Sequence, residues 1–270
     1  MTHTLAKILL LTLSFLFAVS ATAGDRRKNK GLHNSGATFA VIEPDAMPTR
    51  MERDTHCARP MGAMVAQGHI NTKHREGIDV SHYQGSIDWE KVAGSDRISY
   101  AYLKATEGAT YVDRTYKYNL AEARRVGLSV GSYHFYRPNI DWRVQLENLT
   151  SNVRKDEQDL VPIIDIETRG KVSHEKFISD LRNFIKGVTK FYGKKPLLYT
   201  YHNFYNDYLI GCFKGYHWMI ARYQQDQPTL NDGTDYIMWQ YTCKGSIPGV
   251  SGDVDRSRIM HGFQLKQVQM

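Results

Sequence analysis

The sequence predicts an α/β fold, an irregular (β/α) barrel with some crossover helices missing, and three observations carry that reading. From Gly77 onward, short apolar runs alternate with amphipathic stretches of helical period, the pattern of βαβ units around a mostly parallel sheet. About eight such runs fit into roughly 190 residues, whereas a regular TIM-like barrel takes about 250. The later runs, from His217 on, are joined by stretches too turn-rich for full helices, which places the irregular side there.

Taken in order, residues 1–23 combine a basic start (Lys7), an apolar stretch over 8–19 and an Ala21-Thr22-Ala23 cleavage pattern, and read as a secretory signal peptide. That stretch is too short to span a bilayer, and no later segment approaches about 18 consecutive apolar residues. The mature chain is expected to be soluble, monomeric and periplasmic or extracellular. Residues 24–75 show neither alternation nor an apolar stripe, and read as a basic linker or N-terminal arm. Net charge is +7, but an excess of four lies between Asp25 and Arg75, where nine basic side chains meet five acidic ones. With the barrel of residues 76–270 nearly balanced, no nucleic-acid partner is expected. The arm suits an anionic surface through salt-sensitive attraction, or is simply a solvated linker.

Candidate strands are 77–80, 98–104, 129–135, 161–166, 197–201, 217–221, 236–240 and a short one ending near Asp255. Helices are expected over 115–126, closed by Gly127, and over 142–153. A third spans 173–192, where Phe177, Leu181, Phe184, Ile185, Val188 and Phe191 recur at three and four before Gly193 and Pro196. Three cysteines exclude a disulfide scaffold; export permits one bridge, with Cys212–Cys243 the expected pair and Cys57 left over.

The run Val161-Pro162-Ile163-Ile164-Asp165-Ile166-Glu167 ends an apolar strand in two acids one residue apart. Strand alternation aims both at one face, about 6.5–7 Å apart. In a parallel barrel that face is the C-terminal mouth, where catalytic groups sit. Carboxylates so close in a partly dry mouth should be driven apart in pKa, which suits glycosidic cleavage; helix N-caps or metal ligands are the other readings. Asp79 and Asp255 close the first and last strands and would be neighbours in a closed barrel. Four converging acids are costly as mere packing. Rings crowd the same places, Tyr102, Tyr133, Phe135, Tyr199 and Trp239 among them, as sugar-facing surfaces or as ordinary core.

Read in order, Gly77-Ile78-Asp79-Val80-Ser81, Gln84-Gly85, Ile87-Asp88-Trp89, Lys104-Ala105-Thr106-Glu107-Gly108, Gly131-Ser132-Tyr133-His134-Phe135, Asp165-Ile166-Glu167, Tyr199-Thr200, Ala221-Arg222-Tyr223, Trp239-Gln240-Tyr241 and Gly252-Asp253-Val254-Asp255 resemble the glycoside hydrolase family 25 lysozymes over about residues 76–264. The resemblance implies an N-acetylmuramidase cutting the β-1,4 bond between N-acetylmuramic acid and N-acetylglucosamine in peptidoglycan, with the cleft at the strand C-termini and no cofactor or metal. It gives Glu167 the general acid/base position and Asp165 that of the group orienting the substrate's 2-acetamido arm. Asp79 and Asp255 match the remaining cleft acids, and Tyr102, Tyr133, Phe135, Tyr199, Arg222 and Trp239 the substrate-binding surface. The implied route is retention through the acetamido group; a carboxylate nucleophile or an inverting route stays open.

One departure is Arg256-Ser257, where the family commonly has Leu-Asn after the last Asp; it sets a cation near the expected rim, biasing binding toward anionic stem peptides or muramic carboxylates. The alternative functions are a glycan-binding module that kept the fold without turnover, and a metal-dependent hydrolase suggested by eleven histidines. Against the second, His69 and His74 are wrongly spaced for one helical face and no His-Glu-x-x-His or Cys-x-x-Cys occurs; neither a Walker loop nor a Gly-x-Gly-x-x-Gly turn supports nucleotide binding.

Overall fold

The computed structural model describes residues 76–95 and 97–270; the signal peptide, the arm, Cys57, His69 and His74 lie outside them. Among the described residues nine strands form: β1 (Glu76–Val80), β2 (Ile98–Glu107), β3 (Tyr111–Val112), β4 (Ser129–Phe135), β5 (Ile163–Asp165), β6 (Leu197–Tyr201), β7 (Trp218–Ala221), β8 (Met238–Gly245) and β9 (Val254–Ile259). Eight of them run in the order β1-β9-β8-β7-β6-β5-β4-β2 and close into a barrel through a parallel β1–β2 pairing, while β3 is a hairpin partner of β2. All barrel neighbours are parallel except at β9, which is antiparallel to both β8 and β1.

Helices cover the first half of the barrel and are missing from the second. α1 (Trp89–Ala93) follows β1, α2 (Tyr116–Arg125) follows β3, α3 (Trp142–Asn152) follows β4 and α4 (His174–Tyr192) follows β5. After β6 comes a helical turn, His202–Phe204, running into a π turn, Tyr205–Leu209; among the described residues no α-helix follows β7, β8 or β9, and β9 is followed by a single 3-10 turn, Leu265–Val268. This is the irregular flank that the turn-rich sequence predicts. The antiparallel β9 was not anticipated: its strand begins at Val254 and carries Asp255 at its start, not its end.

In α4, Ser173 accepts from the Lys176 N–H and Gly193 stops the helix at φ 75°, a left-handed cap that any side chain would strain. Phe177, Ile178, Leu181, Phe184, Ile185, Val188 and Tyr192 are buried, each worth about 1.5–3 kcal/mol on full burial. Phe191, expected in this stripe, is 48% exposed; the four-residue step from Val188 lands on Tyr192, whose hydroxyl donates to the Val153 carbonyl.

Two apolar layers result. An outer layer packs strands on helices, and an inner one of Tyr100, Tyr102, Ile163, Leu197, Met219, Met238 and Ile259 plugs the barrel. The plug needs two glycines: a Cβ on Gly77 would sit 2.1 Å from the Tyr100 ring, and one on Gly131 2.3 Å from that of Tyr102. The barrel is therefore a filled core with a floor, not a pore.

Cys212 is a free thiol while Cys243 is disulfide-bonded, so the expected Cys212–Cys243 bridge does not form. Shared position inside the patterned region does not fix Cα separation, which decides whether two cysteines can bridge.

Candidate active site

The mouth is built by one row of inward-facing residues handed from strand to strand. Glu107 pairs with Phe135, Phe135 with Asp165 and Asp165 with Tyr199. On the other side of the barrel Asp79 pairs directly with Asp255, because β9 runs backwards and starts at the level where β1 ends. The parallel strands deliver their last residues to this end, and the antiparallel one its first. Glu167, two residues past Asp165, is half-buried, and both acids act electrostatically on the phenols of Tyr199 and Tyr201; Asp255 acts on Tyr201 and Tyr223. All four predicted acids thus converge on one mouth.

Gln240 knits this side together. Its Oε1 accepts from the hydroxyls of Tyr199 and Tyr223, each at 2.9 Å, which leaves Nε2 to donate to Asp79 Oδ2 at 3.1 Å. Tyr201 stands edge-on to both Tyr199 and Tyr223. Burial, reinforced by the neighbouring acids, holds these three phenols neutral far above their ordinary range. Asp79 is pushed up to about 8, first by burial and then by the charge of Asp255, against a smaller opposing effect of the Gln240 hydrogen bond. At neutral pH it is a carboxylic acid. A carboxyl raised into the neutral range is thus present in this mouth, at Asp79.

On β2, the parallel neighbour of β1, lies a compensated cluster. Lys104 Nζ is 2.5 Å from Glu107 Oε2, and Arg137 Nε donates to Glu107 Oε1 at 2.9 Å. Simple alternation would put residues 104 and 107 on opposite faces, but the β2–β4 register slips between Lys104 and Thr106, and this bulge turns both inward. Burial alone would raise Glu107, yet the charges of Lys104 and Arg137 outweigh it and hold the carboxyl below its ordinary value. Both cations also sit over the Phe135 ring, at 5.3 and 4.5 Å.

The remaining expected contacts divide by strand parity. Tyr133 and Tyr199 face inward. Tyr102 is sealed in the plug at the level of Asp79, with no exposed surface, so it supports the floor rather than a ligand. Trp239 faces the outer layer, donating Nε1–H to the Arg222 carbonyl, and Arg222 leans outside on His202, 2.8 Å from Nδ1. Arg256 likewise turns away from the mouth, paired with Glu76 and packed on Tyr241. Standing next to an inward Asp255, it had to. Among the described residues no group of three His, Cys, Asp or Glu is placed to hold a metal ion.

The sequence matches the profile of the Glycosyl hydrolases family 25 over residues 78–250. The chain belongs to glycosyl hydrolase family 25. It is accordingly a glycoside hydrolase of the lysozyme type. Lysozyme M1 of Streptomyces globisporus is 32% identical over 207 residues, 71% of this chain and 70% of that one. The protein YegX of Escherichia coli K12 is 37% identical over 183 residues, 66% of this chain and 67% of its own. A family 25 glycosyl hydrolase structure from Bacillus anthracis superposes with a TM-score of 0.68 at 29% identity, covering 75% of this chain and 96% of that one.

The hydrogen bonds at the mouth add residues that chemical type alone does not single out. Gln240 lies between Trp239 and Tyr241 in a motif already singled out, and counting parity from an inward Met238 selects it instead of its neighbours. The same count from Ala221 selects Tyr223 over Arg222. The Lys104–Glu107 pair carried no such signal, because a bulge is not written in the alternation.

Proposed function

We propose that this chain is an N-acetylmuramidase, hydrolysing the β-1,4 bond between N-acetylmuramic acid and N-acetylglucosamine in peptidoglycan. The observation that carries the reading is the meeting of Asp165, Glu167, Asp79 and Asp255 at one tyrosine-lined mouth, in a chain of this family. Glu167, more accessible than Asp165, donates a proton to the leaving oxygen and then activates water. Asp165 orients the 2-acetamido arm, whose carbonyl oxygen attacks the anomeric carbon so that configuration is retained. Asp79, protonated and pinned by Gln240, is a neutral hydrogen-bond donor on the far wall, and its neutrality limits repulsion around Asp255. Tyr199, Tyr201 and Tyr223 offer ring faces and hydroxyls to the sugar. Export by residues 1–23 delivers the barrel to the wall, with residues 24–75 as a basic tether.

The test is digestion of purified peptidoglycan by the mature protein, borohydride reduction, and mass spectrometry of the new ends, with Glu167→Gln as control. Reduced muramic acid ends that vanish in the mutant are expected. Reduced glucosamine ends would overturn the bond assignment, and sedimentation with the wall without new ends would point to a binding module. The acetamido route predicts that glycan de-N-acetylated at muramic acid resists cleavage; normal turnover of it would contradict that route.

A further inference from the structure

The loop that leaves β1 holds a side-chain cluster outside the acids described above. Asp113 is buried and takes four hydrogen bonds: from the His82 backbone N–H at 3.0 Å, the His82 ring Nδ1 at 2.8 Å, and the Thr115 N–H and hydroxyl at 2.9 and 2.7 Å. Burial would raise this carboxyl, but the donors hold it below its ordinary value. Tyr111 closes the site with its hydroxyl 3.0 Å from the same ring nitrogen. The imidazole is therefore fixed by Nδ1, with Nε2 on its far edge, as when a carboxylate orients a working histidine. So much orientation is not needed to cap a turn, since Ser81 already caps it.

Beside it, the Tyr83 ring lies tilted against the imidazole with centroids 4.1 Å apart and is 47% exposed; among the described residues only Tyr118 and Phe191, on helices of the outer layer, are more exposed large apolar side chains. The cluster joins the mouth on both sides. Gln84, in the same turn, donates to the Asp253 carbonyl in the loop that leads to Asp255. Tyr111 lies under Lys104, whose ammonium is 5.4 Å from its ring and which also covers Phe135 in the inner row. A band of rings, Phe135, Tyr111, His82 and Tyr83, thus leads from the inner row to the rim.

Resting on the muramidase reading, we propose that His82 and Tyr83 form an outer subsite of the cleft for a pyranose ring of the glycan strand beyond the two sugars at the scissile bond. The Tyr83 ring takes the apolar face of the sugar and His82 Nε2 a hydroxyl or acetamido group, with Asp113 as positioning residue. A subsite away from the reacting bond acts only on substrates long enough to reach it.

The experiment compares kcat/KM on a short and a long peptidoglycan oligosaccharide for the wild-type protein, Tyr83→Ala, Tyr83→Trp, His82→Ala and Asp113→Asn. In parallel, calorimetry measures binding of the long chain to Glu167→Gln with and without Tyr83→Ala. The long-to-short ratio should fall about tenfold in Tyr83→Ala, return in Tyr83→Trp and fall less in Asp113→Asn, with the loss in KM rather than kcat. Binding of the long chain should weaken by about the same factor. Equal loss on both substrates, or an unchanged ratio and affinity, overturns the subsite. A wild-type protein that cleaves neither substrate fails the muramidase reading instead, and the calorimetric arm still decides whether Tyr83 binds glycan.

Discussion

Two carboxyl groups on neighbouring strands of the barrel mouth, Asp79 on β1 and Glu107 on β2, are buried alike and behave in opposite ways. Asp79 is 8% exposed and Glu107 6%, so desolvation penalises both. Asp79 faces another acid and a neutral amide and is pushed up to about 8; Glu107 faces a lysine and an arginine and is held low. Burial sets how strongly a neighbour is felt, and the neighbour sets the direction. The mouth therefore combines a proton-bearing wall with an ionic one, and each can be removed separately.

The largest effect is expected from Glu107→Ala. It leaves Lys104 and Arg137 buried without their counter-charge and should destabilise the fold by about 3–5 kcal/mol, read from denaturant unfolding. Next is Asp79→Asn. The raised carboxyl favours the folded state below about pH 4 and is progressively unfavourable as pH rises to about 8, so the wild-type protein loses stability over that window. In Asp79→Asn this slope should vanish, leaving the mutant up to about 4 kcal/mol more stable near neutrality relative to the wild-type trend. The alkaline limb of kcat/KM, with an apparent pKa near 8, should vanish with it. A limb that persists in the mutant would assign the titration to another group.

His134 sharpens the comparison from outside the barrel. Wholly buried between Thr106 and Gln145, it is lowered by burial to about 4. Here the sign is reversed: its neutral form stabilises the fold above about pH 6.5, and that contribution is lost as pH falls toward 4, about 3 kcal/mol in all. His134→Gln should flatten this acid limb in thermal unfolding scans. The smallest effect belongs to Arg256→Ala. Its charge is paired with the part-buried Glu76 away from the mouth, so the cost should be about 2 kcal/mol, and KM for wall substrate should not move.

Period and punctuation made the barrel legible: the α4 caps, the β4 and β6 limits and the helix-poor flank all follow from local residues. What was not legible depended on pairing between distant segments. The direction of β9 follows from its partners, and with it the level at which Asp255 arrives. The bulge in β2 is visible only against β4, which hid the Lys104–Glu107–Arg137 cluster. At the site, strand limits point to the four acids, whereas Trp239 and Arg222 stand out by chemical type alone and strand parity turns both outward. Asn148, in an Asn-Leu-Thr sequon, donates its amide to the carbonyls of Glu107, Gly108 and Tyr111, and so is committed to holding the loop after β2.

The closure of the barrel by β9 has a consequence for how activity is acquired. β1 waits for a partner nearly 180 positions away, and pairing of such separation carries a high loop-closure cost and forms slowly. The Asp79–Asp255 wall lies on that seam. A chain with every helix in place but the seam open would have most of its secondary structure and half of its mouth. Recovery of hydrolysis after dilution from denaturant should therefore trail recovery of the helical signal, making turnover a reporter of the final closure.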